Sequence, residues 1–101
     1  MSVLRAAGWM LSMLASTGLV ARDLNQDEAL RLRQSGAILP LESLLDKALA
    51  GYPGGVLLEA ELEQEHGGYR YEFEILLPDG RVRELEFNAV TGDLLEDKDD
   101  D

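Results

Sequence analysis

The chain has 101 residues, 46% of them hydrophobic and 29% charged, which suits one folded domain and excludes a disordered tail or a multidomain enzyme. Its 20 Asp and Glu against 9 Lys and Arg give a formal charge of -11, a field that repels phosphate backbones and anionic lipid surfaces and so argues against nucleic acid as a partner. Without cysteine there is no disulfide framework, no thiolate metal site and no lipid-modified mature end.

Residues 1–21 open with a single cation, Arg5, and continue as an apolar run that holds Trp9 and no acidic residue. Charge first, apolar stretch second and small residues last is the layout of a secretory signal peptide. The run is interrupted by Ser12, Ser16, Thr17 and Gly18, which argues against a membrane span. Cleavage after Gly18 or after Ala21 leaves a periplasmic or secreted domain with no membrane insertion.

Residues 22–39 read as a short capped helix and a linker. Asn25 and Glu28 have capping-box spacing, Ala29, Leu30 and Leu32 form the apolar side, and Ser35-Gly36 ends the helix. A second helix starts near Pro40, with Leu41, Leu44, Leu45, Ala48, Leu49 and Tyr52 in one stripe and Gly51 and Pro53 as its stop.

Three runs of period-two alternation follow. Leu58, Ala60 and Leu62 alternate with glutamates; then Tyr69, Tyr71, Phe73, Ile75 and Leu77; then Leu85 and Phe87. Turns are expected at His66-Gly67-Gly68, Asp79-Gly80 and Thr91-Gly92, the last leading into a short fourth strand over residues 93–96. Residues 97–101 read as a solvated, frayed acidic tail. The expected fold is α+β: one or two N-terminal helices packed on one face of a three- to four-stranded antiparallel meander.

The other sheet face then carries Glu59, Glu61, Glu63, Glu72, Glu74, Glu84 and Glu86, partly neutralised by Arg70, Arg81 and Arg83. This row is the candidate surface for binding a protein partner of basic character. The outer strands also offer unpaired backbone groups to an incoming strand. No catalytic residue, cofactor site or metal site is expected. His66 is the only imidazole, it falls in a turn, and no nucleophile shares it. The alternative is a carboxylate-rich protein that binds calcium, although alternating strand carboxylates form a flat array and do not wrap an ion.

Residues 69–80, Tyr-Arg-Tyr-Glu-Phe-Glu-Ile-Leu-Leu-Pro-Asp-Gly, lead through a second strand into Asn88-Ala89-Val90-Thr91-Gly92 and the pair Leu94-Leu95. With the preceding Leu44-Leu45-Asp46-Lys47-Ala48-Leu49 helix and its Tyr52-Pro53-Gly54 stop, residues 40–96 resemble the PepSY domain family. The resemblance implies a cystatin-like or inhibitor-like α+β unit without catalytic residues, in an exported protein. It further implies modulation of an envelope protein, either a protease or a membrane sensor.

Overall fold

The computed structural model describes residues 22–100, so the expected signal segment, residues 1–21, lies outside the described residues. The chain runs β1 (Arg22–Asp23), α1 (Gln26–Gln34), α2 (Leu41–Ala50), β2 (Val56–Glu65), β3 (Gly68–Leu76), β4 (Val82–Asn88) and β5 (Leu94–Asp99). The strands form one antiparallel sheet in the order β1-β2-β3-β4-β5. Both helices lie on the same sheet face, the arrangement expected from the sequence, with five strands in place of three or four.

Local chemistry sets each boundary. Asn25 Oδ1 accepts the Glu28 amide at 2.8 Å while Glu28 Oε1 accepts the Asn25 amide at 3.2 Å, so the capping box starts α1. At its end the Ala37 amide returns to the Leu32 carbonyl and the Gly36 amide to the Arg33 carbonyl, a Schellman closure. Pro40 caps α2 with extended backbone, and Gly51 terminates it. The β2–β3 turn places His66 at φ 54° and Gly67 at φ 78°, the double left-handed geometry that matches strand twist in a two-residue hairpin.

The core lies between α2 and the middle of the sheet. Leu44 and Ala48 of α2 meet Leu62, Tyr71, Phe73, Ile75, Leu85 and Phe87. Tyr71 stacks on Phe73 at 6.1 Å between ring centroids, and Phe73 meets Phe87 tilted at 5.8 Å. The Tyr71 hydroxyl donates to the Leu39 carbonyl at 2.7 Å, and the Leu39 amide donates to Ala89. Residues 38–39 are therefore part of the core, with Ile38 only 4% exposed, and are not the linker that the sequence suggested.

Four other expectations are corrected. Leu58, expected inward with Ala60 and Leu62, is 52% exposed because a β-bulge between Leu57 and Glu59 turns it out, and Leu57 packs inward instead. Leu30, expected on the apolar side of α1, is exposed, leaving that side to Ala29 and Leu32. The segment expected to fray continues as β5 through Asp99, because Asp97 and Asp99 pair with Arg83 at 2.7 and 2.6 Å. The outer edge of β2, expected to be free, is covered at one end by β1, opposite Glu63 and Gln64.

Candidate functional site: the acidic face of the sheet

Strand register places the candidate glutamates in adjacent rows on the sheet face away from the helices. One row reads Glu59–Glu74–Glu84–Lys98, the next Glu61–Glu72–Glu86–Glu96, and a third Glu63–Arg70–Asn88. Glu59, Glu61, Glu63, Glu72, Glu74, Glu84 and Glu86 are thus all brought together. Two groups missed by the sequence reading join them: Glu96 extends the central row through β5, and Asp23 stands opposite Glu63 on β1. A register shift between Glu86 and Phe87 brings Glu96 to this face, and period-two counting from Leu94 does not show it.

Directly opposed like charges destabilise a sheet, and here they repeat across four strands. Of the arginines expected to offset them, Arg70 does so, with Nη1 2.8 Å from Glu86 Oε1 and Nη2 on Glu65. Arg81 and Arg83 do not. Arg83 has the same strand parity as Leu85 and Phe87, so it faces the helices and binds Asp97, Asp99 and the Tyr52 hydroxyl. Arg81 sits beside Asp79 and Asp99. Among the described residues Lys98, at 3.2 Å from Glu96, is the other cation on the acidic face.

The rows respond by holding protons. Glu61 is pushed up to about 7, chiefly by sharing a proton with Glu59, then by burial and the Asp23 charge. Glu72 is pushed up to about 9 by the proton it shares with Glu84, then by burial and by Glu63. Burial first and Asp100 second raise Glu74. Glu86, 8% exposed beneath its neighbours, is raised by burial despite Arg70.

Two carboxylate groups have oxygens within 4.8 Å of one another: Asp23, Glu61 and Glu63, and Glu72, Glu84 and Glu86. Either could take a hard cation, yet each supplies three residues where calcium takes six to eight oxygens. Glu59, Glu61, Glu72 and Glu74 border a depression of about 90 Å³. Larger grooves of about 720 and 610 Å³ run along α1, where Arg22 is already engaged by Glu28 and Gln64. His66 is exposed in its turn, as expected. No described helix is long and apolar enough to cross a membrane.

The segment Asn88-Ala89-Val90-Thr91-Gly92 proves to be a structural device. Asn88 Oδ1 accepts the amides of Val90 and Thr91 at 2.8 and 3.0 Å, and Thr91 Oγ1 accepts that of Asp93 at 3.2 Å. Gly92 sits at φ 84°, and a Cβ there would lie 3.3 Å from Leu39 Cδ1. Its carbonyl accepts Lys47 Nζ at 2.6 Å, joining α2 to the β4–β5 turn.

No curated protein matches the chain, and no solved structure matches it. The family model described as PepSY, peptidase propeptide and YPEB domain, matches residues 38–98. The matched stretch begins at the buried Ile38, takes in α2 and the Asn88–Gly92 turn, and ends within β5. It covers more than half of the sequence, and the chain belongs to the PepSY family.

Proposed function

We propose that this chain is an exported, non-catalytic regulatory module that binds a basic surface of an envelope protein, a protease or a membrane sensor, through its acidic sheet face. The observation that carries the reading is the registered carboxylate face: its glutamates are opposed across β2, β3, β4 and β5, while the core lies entirely on the other side. Folding does not require those charges, and their mutual repulsion opposes it. A cationic partner relieves the repulsion and gains long-range attraction during encounter. Family membership supports a propeptide or regulatory role, and the layout of residues 1–21 supports export.

The test is capture from an envelope extract by the wild type and by a Glu72→Lys/Glu74→Lys/Glu84→Lys variant, at low and high salt. Loss of capture by the variant and by the wild type at high salt is expected. Undiminished capture by a folded variant would remove the acidic face from the reading. A second reading, calcium binding, has the two carboxylate triads in its favour. Calorimetry with calcium decides it: saturable binding in the micromolar range, lost in Glu72→Gln/Glu84→Gln, would replace the first reading.

A further inference from the structure

We propose that the outer edge of β2 over residues 56–61 is the docking line for an extended basic segment of the partner, which joins the sheet as an added strand. This rests on the protein-binding reading above and names where and in what conformation the partner sits.

β1 satisfies only one end of the β2 edge. It pairs opposite Glu63 and Gln64, the Leu24 amide donates to the Leu62 carbonyl at 2.8 Å, and the chain then turns away into α1. Leu62 therefore directs its backbone groups outward, and Ala60, two residues earlier with no bulge between them, directs its own the same way. Among the described residues nothing pairs with that stretch. Beside it stand two exposed apolar side chains, Val56 at 56% and Leu58 at 52% exposure. β-Augmentation combines these features: open ladder groups give affinity, and alternating side chains give specificity.

Charge identifies the occupant. An added strand beside residues 56–61 places alternate side chains next to Glu59 and Glu61, with Glu63 and its β1 partner Asp23 just beyond its end. β2 carries no Lys or Arg, and the cations across its two ladders are already held, Arg70 by Glu65 and Glu86 and Arg22 by Glu28 and Gln64. The complementary segment has Lys or Arg at every second position. The opposite edge does not fit it equally well. β5 exposes Leu94 and Leu95, but its Asp97 and Asp99 are occupied by Arg83, and it carries its own cation, Lys98, beside Glu96.

The probe is a short synthetic peptide in which Lys and Thr alternate, compared with a peptide of identical composition whose lysines form one block. Binding is followed by amide exchange and by titration at low salt. The alternating peptide should bind wild type more tightly than the block peptide and slow exchange of the outward Ala60 amide. Glu59→Lys/Glu61→Lys should weaken it about tenfold or more through lost and reversed surface pairs. Ala60→Pro, which removes one outward donor from an edge strand, should weaken binding of the alternating peptide while circular dichroism stays native. Equal binding of both peptides, or unchanged binding to a folded Ala60→Pro variant, overturns the edge and leaves the acidic-face reading standing. Failure of both peptides to bind at low salt overturns the edge and the basic-partner reading together.

Discussion

Arg83 shows how one cation can fix the end of a domain. Its Nε donates to Asp97 and to the Tyr52 hydroxyl, and Nη1 donates to Asp99, so β4, β5 and the end of α2 meet at one guanidinium. At this meeting point the Tyr52 phenol is raised above its ordinary value, first by its hydrogen bond to Asp97 and then by burial, with Arg83 working against both. Partly exposed pairs of this kind contribute about 0.2 to 1 kcal/mol each. Arg83→Ala should therefore lower the denaturation midpoint modestly and speed amide exchange over residues 97–100 far more than in β3. Exchange rates there equal to wild type would show that the main-chain ladder alone holds β5.

At the scale of the elements, α2 and the β4–β5 turn place the sheet under its helix. Leu44 is almost fully buried, so Leu44→Ala should cost about 2 to 5 kcal/mol in chemical denaturation. Asn88→Ala leaves the Val90 and Thr91 amides without their side-chain partner and should cost about 1 kcal/mol, comparable to losing a helix cap. A midpoint equal to wild type would deny the turn its role. These elements were legible because their signals are local: the 3-4 stripe of α2, the capping box, the glycine turns and the alternation of β3 and β4. The misread parts depend on distant partners. The bulge that exposes Leu58 and moves Leu57 inward follows from pairing with β3, and Ile38 is buried because Leu39 is held by Ala89 and Tyr71. The seven candidate glutamates followed from period two alone, whereas Asp23 and Glu96 joined them through the strand order.

For the whole molecule, export and charge make separate claims. Trp9 is the only tryptophan, so protein recovered from the envelope after cleavage should emit from tyrosine alone; a tryptophan band would contradict removal of the segment. Charge bears on stability through the rows of the open face. Glu72 is faced by Glu61 and Glu63 from β2 and by Glu84 and Glu86 from β4, with Arg70 and Glu74 along its own strand. Glu61 is flanked by Glu59 and Glu63 and approached by Asp23. In the folded chain Glu61 is raised to about 7 and Glu72 to about 9 from an ordinary value of 4.5, while Glu74 and Glu86 move in the same direction. The folded state thus binds more protons than the unfolded one across that interval, and linkage makes stability fall as pH rises. The contribution is complete below the unfolded value and is lost as pH climbs through about 7 and then about 9. On the acid side, Asp79 is held low by the Arg81 backbone amide and side chain, so its contribution fades only as pH falls below its ordinary 3.8. The domain should therefore be most stable near pH 4 to 5 and lose stability steadily towards pH 9, the reverse of ordinary acid denaturation. Added salt should flatten the slope by screening the face. Glu72→Gln, which keeps the shape and is neutral in both states, takes up no proton on folding and should raise the stability at pH 8 while changing it little at pH 4. Denaturant titrations of wild type and variant across this range test the sign directly, and a wild type that gains stability between pH 5 and pH 9 would show that the rows hold no shared protons.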